Sequence, residues 1–379
     1  MMKTGRLLVP WYMFPPFRKE GIGGLSVVVW ELTRELAERG VVVDVLIPSK
    51  NGETNETVAG VGVIGSKLGE RFMRNRPLTK SEGRFLDEYE AVLSINSYAA
   101  RTLRSYDRRR EIITRQIHMI GQDRTLETYM SLKPGLTEFL KMAAVRRKDR
   151  GLMHPLTGSR TICVSRYLSN IMRDGNFEDS RNLFTIPNGI HTHLFRPMNV
   201  EKKYDLLFVG RFQQAKGLDV LLRALRLIHE TRGRTYRVGI LGEFTVEQRK
   251  FVVSNIPEPV RESVEFLGVV DREDVAETIN SGNILIVPSR YESFGLPALE
   301  AMACGIPVLA SRVGGLPEII DKSVGILLDS DDAQAFANAV YASVGDRSLM
   351  SRAATNGPVK ARQYDWGVVA PNIQRILFD

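Results

Sequence analysis

Two glutamates, Glu292 and Glu300, stand with seven residues between them in the stretch RYESFGLPALEAMACGIPVLAS, residues 290–311, and bracket a Ser-Phe-Gly-Leu-Pro turn. Pro297 suits the first position of a helix, where its missing N–H is one the helix leaves unpaired in any case. The amides of Phe294, Gly295 and Leu296 are then unpartnered at the positive end of that helix, an arrangement that binds phosphate. Glu292 falls on the loop before the helix and Glu300 about one turn inside it, and carboxylates accept well from paired sugar hydroxyls. Two glutamates alone would read as a capped surface helix. Set between two apolar strand-like runs, the segment reads as a ligand site.

A second constellation is FVGRFQQAKGLDVLL, residues 208–222, in which a strand ends at Gly210 and Arg211 and Lys216 precede a helix. A guanidinium grips an anion bidentately and an ammonium acts as a point charge, so two such cations beside helix-end amides form a diphosphate clamp. Taken alone, they also read as solvated surface cations. The stretch is not a Walker A loop, because GxxxxGK[ST] is absent from it. Nearer the N-terminus, EGIGGLS over residues 20–26 sets Gly21, Gly23 and Gly24 before a helix, where backbone can pass close to a ligand. As a dinucleotide fingerprint it fails: Ser26 replaces the third glycine and no acidic residue ends the next strand. A plain tight turn stays open there. The chain also holds a DxD, Asp329-Ser330-Asp331, of the sort that binds a metal-diphosphate in other transferases. It precedes the helical AQAFANAV, so Asp331 or Asp332 is expected to cap a helix, and no essential metal is expected.

The elements that must position these residues follow from periodicity. Apolar runs of strand length alternate with helical periods throughout, the mark of an α/β fold with parallel sheets. The strand candidates are RLLVP, VVVDVLIP, AVLSI, EIITRQI and TICVS in the first half, then YDLLFVG, YRVGILG, VEFLG, NILIVPS, PVLAS and VGILL. Leu25, Val28, Leu32 and Leu36 predict a helix ending at Gly40, and Leu218, Leu221, Leu222, Leu225 and Ile228 predict another. At 379 residues the chain is about two and a half typical domains long. The polar stretch FRPMNVEKKYD, residues 195–205, is the expected linker, and two α/β domains so joined create a cleft at the carboxyl ends of their strands.

Composition excludes several classes. With 43% hydrophobic and 25% charged residues the chain is not disordered, collagen-like or disulfide-dense. Cys163 and Cys304 lie far apart in apolar stretches, which suits two buried thiols in a reducing compartment. No run approaches the ~20 apolar residues of a membrane span, and the start shows no signal-peptide cleavage site, so a soluble or peripheral protein is expected. The net charge of +8 is one-sided: residues 1–180 hold 29 basic and 21 acidic side chains, and 181–379 hold 23 of each. Such a field favours an anionic partner, whether phosphorylated metabolite, nucleic acid or membrane face.

Taken together, the GG loop, IHMIGQD, CVSRYLSNI, IPNGIHTHLFRP, VGRFQQAKG, FLGVV, the two spaced glutamates and VGGLPEII resemble the retaining glycosyltransferases of family four, in that family's order. The resemblance implies a GT-B fold: two Rossmann-like domains facing across a deep cleft, an acceptor domain over 1–197 and a donor domain over 198–361. It also implies that residues 362–379 return to the first domain, with Trp366 as a packing anchor. By the same resemblance, Arg211 and Lys216 neutralise the leaving diphosphate, Glu300 holds ribose hydroxyls and Glu292 lies beside the donor sugar. The amides of Phe294, Gly295 and Leu296 meet sugar and phosphate, Gly23 and Gly24 close over the diphosphate, and His118 meets the sugar. The chain departs from the family at His191, in place of an aspartate, at LGEF, which lacks a second glycine, and at Asn283. These bear on the nucleotide contacts.

The activity implied is retaining transfer from a nucleotide-diphosphate sugar, with no cofactor, to a glycan, glycolipid or phosphorylated small molecule. The implied location is cytoplasmic, with a peripheral place on the inner membrane face. Two basic, apolar segments, residues 66–86 and 136–153, suit an anionic surface; the second offers Leu136, Phe139, Leu140 and Ala143 before Arg146, Arg147, Lys148 and Arg150. A solvated face or a soluble phosphorylated acceptor explains them equally. A GT-B sugar-nucleotide epimerase would share the cleft but bind no separate acceptor. A nucleic-acid-binding module is disfavoured, because the basic residues lack interleaved aromatics.

Overall fold

The computed structural model describes residues 5–11, 24–49, 54–74, 76–95, 102–103, 113–117, 159–175, 178–254 and 256–379. They form two α/β units: the described residues up to Gly189 together with Trp366–Asp379, and Ile190–Asp365.

The first unit runs β1 (Arg6–Pro10), α1 (Gly24–Glu38), β2 (Val42–Pro48), β3 (Thr54–Val58), β4 (Val61–Ser66), α2 (Lys67–Met73), α3 (Lys80–Leu86), β5 (Ala91–Ile95), β6 (Ile113–Ile117), β7 (Arg160–Cys163), α4 (Arg166–Asp174) and β8 (Leu183–Thr185). Its sheet has the order β3-β4-β2-β1-β5-β6-β7-β8, and every pair is parallel except β3 with β4. All five residues of AVLSI are buried, as a central strand covered on both faces requires. Three strands carry no such signal. TNETV is a polar, exposed edge, VGVIGS is broken by glycines, and LFT spans only three residues.

The second unit runs β9 (Tyr204–Val209), α5 (Leu218–Arg232), β10 (Val238–Leu241), α6 (Val246–Ser254), α7 (Glu258–Glu262), β11 (Val264–Gly268), α8 (Arg272–Asn280), β12 (Gly282–Val287), α9 (Leu296–Ala303), β13 (Val308–Ser311), α10 (Leu316–Ile319), β14 (Gly325–Leu328), α11 (Ala333–Ser343) and α12 (Arg347–Ala361). The sheet is wholly parallel, in the order β11-β10-β9-β12-β13-β14. Leu206, Phe208, Ile240 and Ile284 from its strands pack with Leu221 and Leu225 of α5 and Phe336 and Val340 of α11. The chain leaves β9 toward β10 and β11, then crosses to β12 on the other flank of β9. That reversal puts a topological switch point between β9 and β12, where open α/β sheets take their ligands. The two loops leaving it are those of Arg211–Lys216 and Glu292–Leu296.

The last helix, α13 (Trp366–Phe378), belongs to the first unit, and Trp366 is among its largest wholly buried side chains. In the basic segment 66–86, Ser66 and Thr79 cap α2 and α3, and the basic groups have acidic neighbours: Arg71 pairs with Glu82 at 2.8 Å and Arg74 with Glu70 at 3.7 Å. Segment 136–153 lies outside the described residues. Among the described residues no helix is long and apolar enough to cross a membrane.

Candidate functional site

The loop after β9 leaves the sheet at Gly210 and closes into a single 3-10 turn, Gln214–Lys216. Arg211 is exposed and makes no ion pair among the described residues. Lys216 is half-buried, passes beside Gly210, and places its Nζ 2.6 Å from Oε2 of Glu292. That contact joins the two sequence constellations across the switch point. Glu292 is only 8% exposed, and its backbone carbonyl accepts from the Gly315 amide at 3.0 Å, which ties it to the VGGLPEII stretch.

Helix α9 begins at Leu296, so Pro297 holds its second position, one later than expected. Gly295 caps it with φ +103°, a conformation open to glycine and strained for other residues. The amides of Phe294, Gly295 and Leu296 donate to no acceptor among the described residues, while that of Leu299 already bonds the Gly295 carbonyl. Glu300, on the buried side of α9 and 4% exposed, accepts at Oε1 from a guanidinium nitrogen of Arg272 at 2.6 Å. The Arg272 guanidinium lies 4.5 Å over the Phe195 ring. Sequence reasoning missed Arg272: it follows FLGVVD at the start of α8 and carries no motif of its own.

Two expectations about helix ends become more specific in the structure. Of the amides at the start of the helix after Lys216, that of Gly217 donates to the Gln214 carbonyl and those of Val220 and Leu221 to Gly217, while that of Leu218 donates to no acceptor among the described residues. The negative complement of that helix end is Asp219, within the first turn of α5. The alternatives for the helix cap also resolve: Asp332 caps α11, accepting from the Ala335 amide at 2.9 Å, and Asp331 does not. Asp331 instead accepts from Arg290 at 2.7 Å and Arg223 at 2.6 Å.

Arg290 is therefore an unforeseen centre of charge. Hydrogen bonds to Asp219 hold its pKa above the ordinary arginine value, against burial, with Asp331 adding to the effect. Burial opposes ionisation of Asp219, but the bonds and charge of Arg290 outweigh it and keep that carboxylate below its usual range. Both cysteines are free and buried, and burial pushes each thiol up to about 12, which removes them as nucleophiles.

Of the N-terminal candidates, Gly24 opens α1, while Gly23 and His118 lie outside the described residues. The others, Arg211, Lys216, Glu292, Phe294, Gly295, Leu296 and Glu300, all belong to the second unit.

Residues 192–360 match the family described as glycosyl transferases group 1. Over 398 aligned residues the chain is 27% identical to D-inositol 3-phosphate glycosyltransferase of Corynebacterium diphtheriae, covering 94% of this chain and 90% of the relative. Its fold is shared with sucrose-phosphate synthase of Thermosynechococcus elongatus, at TM-score 0.75 and 22% identity over 98% of this chain and 97% of the other. It is shared also with Anabaena HepE, solved with UDP-glucose, at TM-score 0.68 and 15% identity over 97% and 98%. The matched segment, with its switch-point loops, places residues 192–360 among the glycosyl transferases group 1, and the two-sheet architecture of the chain is a GT-B fold.

Proposed function

We propose that the protein transfers a sugar, with retention of anomeric configuration, from a nucleoside diphosphate sugar to a phosphorylated or lipid-linked acceptor of cell-surface glycan or glycolipid synthesis. The reaction takes place on the cytoplasmic side and needs no metal. The observation that carries this reading is the Lys216–Glu292 contact, set beside the unpartnered amides of Phe294, Gly295 and Leu296. As the bond from the sugar's anomeric carbon to the diphosphate breaks, negative charge builds on the leaving oxygen. Lys216, the exposed Arg211 and the helix-end amides meet that charge without reorganising. Glu292, ion-paired to Lys216, faces the positive charge developing on the sugar ring. The acceptor oxygen bonds to the same face, and its proton passes to the leaving phosphate. HepE bound to UDP-glucose supports the donor class, and the inositol 3-phosphate relative supports a phosphorylated acceptor.

The test is a thermal-shift screen of nucleoside diphosphates and their sugars. A ligand at 100 times its dissociation constant adds about 2.7 kcal/mol to stability. One nucleotide series is expected to raise the melting temperature, and its sugar form to be consumed with a suitable acceptor; a flat screen would sink the reading. Release of a free epimer in place of transfer would return the epimerase.

Exhaustive chelation is expected to leave turnover unchanged. One reason lies in the DxD stretch, where Asp331 is already engaged by two arginines, and in the next residue, Asp332, which caps a helix. Loss of activity in EDTA that magnesium or manganese restores is the opposite result.

Glu300→Gln is expected to weaken donor binding by about 1.5–3 kcal/mol, the worth of a hydrogen bond to a charged group. It should also erase the preference for a ribose over a deoxyribose nucleotide. A variant that still discriminates between the two by the wild-type factor places the ribose elsewhere.

A further inference from the structure

The Lys216 side chain has four rotatable bonds, so where its ammonium can reach is decided by how firmly its backbone is held. Four successive contacts from the loop after β12 hold it. Gly217, in left-handed backbone at φ +67°, lies so close to the Pro288 carbonyl that a Cβ there would overlap its oxygen. The Arg290 amide donates to the Ala215 carbonyl at 2.9 Å, and an Arg290 guanidinium nitrogen donates to the Gln214 carbonyl, also at 2.9 Å. Glu292 then receives the Lys216 ammonium itself.

The Arg290 side chain does more than grip that one carbonyl. It is 6% exposed and donates through two nitrogens to both carboxylate oxygens of Asp219, at 2.7 and 2.6 Å, and to Asp331 at 2.7 Å. Its fork therefore spans the 3-10 turn that carries Lys216, the first turn of α5, and the turn after β14. Asp331 sits at φ +64°, a left-handed conformation that is uncommon for a residue with a side chain. Such strain persists where surrounding contacts over-determine it, and here they are Arg290 and Arg223. A lysine at position 290 has one ammonium and cannot form this planar, bidentate set.

We propose that Arg290 is a positioning residue for the transfer reaction, fixing the Lys216 turn so that the ammonium meets the donor diphosphate. It touches no reacting atom; it acts through Gln214, Ala215 and Asp219. This rests on the reading that Lys216 binds the diphosphate. A misplacement of ~1 Å in such a group costs about 10²-fold in rate, so the anchoring has consequences well beyond stability.

A double-mutant cycle separates positioning from mere support. UDP, GDP and ADP are titrated calorimetrically into the wild type, and the tightest is carried forward. Lys216→Ala is expected to weaken it about 10- to 150-fold and Arg290→Lys about tenfold. The double variant binds no more weakly than Lys216→Ala alone, because without the ammonium there is nothing left to position. Additive losses, or wild-type affinity in Arg290→Lys, overturn the proposal. Wild-type affinity in Lys216→Ala, or no nucleotide binding at all, overturns the reading beneath it and the proposal with it. Should Arg290→Lys fail to fold, Asp331→Asn, which removes one charged acceptor of the fork, runs the same cycle at smaller amplitude: non-additive losses support the positioning role and additive losses overturn it.

Discussion

Replacing Lys216 by alanine is expected to lower kcat/KM about 10²- to 10³-fold, the loss that follows removal of one preorganised donor facing developing negative charge. The ammonium is half-buried and already aimed by its contact with Glu292, so it meets the leaving diphosphate with little reorganisation. The substitution also leaves Glu292, 8% exposed, without its cation, and an unpaired buried carboxylate is costly in its own right. A second variant separates the two effects. Lys216→Ala with Glu292→Gln removes the stranded charge and is expected to recover the melting temperature but not the turnover. Lys216→Arg keeps a charge with different reach and should fall between wild type and alanine. Steady-state rates with the donor found by thermal shift decide it: turnover within tenfold of wild type in Lys216→Ala removes that residue from the chemistry.

The strands that build the switch point were legible because their centres, residues 206–208 and 284–287, are unbroken apolar runs buried on both faces. YDLLFVG and NILIVPS appear as β9 and β12 within two residues of their expected bounds. The same rule failed for TNETV, whose side chains face water on an edge strand and carry no hydrophobic period. The start of α9 was also readable, because its signals are local: Pro297 and Gly295 mark a helix start whatever surrounds them.

What stayed hidden was pairing. Nothing in the spacing of Glu300 and Arg272, 28 positions apart, says that they meet at 2.6 Å. The same holds for Arg290 with Asp219 and Asp331, 71 and 41 positions away. Parallel sheets bring together loops that are remote in sequence, so the partners of a charged side chain are set by strand order, which no local pattern encodes. This changes how Asp329-Ser330-Asp331 reads. As a string it suits a metal-diphosphate, whereas in the fold one of its carboxylates secures the arginine that holds the Lys216 turn.

Trp366→Ala is expected to destabilise the first unit by about 3–5 kcal/mol, the usual cost of emptying a buried aromatic site. The indole opens α13, is 1% exposed, and lies against Gly189 so closely that a Cβ on that glycine would overlap the ring. Val369, Ala370, Ile373 and Leu377 continue the same buried face, and α13 packs on α1. A helix that rejoins its unit only after the whole second unit, Ile190–Asp365, must be held by such burial, since chain connectivity does little to keep it in place. Urea unfolding followed by far-UV circular dichroism gives the comparison, with Val368→Ala as control. Val368 lies on the same helix at 50% exposure, and its replacement should stay within about 0.5 kcal/mol of wild type. Arg211, Lys216, Glu292 and Glu300 lie in the second unit, so the nucleotide affinity they supply per folded molecule should be unchanged in Trp366→Ala. A loss below about 1 kcal/mol, far under the usual cost of such a cavity, would mean that α13 rests on the first unit as an appendage, and that its apolar face, and not the indole, carries the attachment.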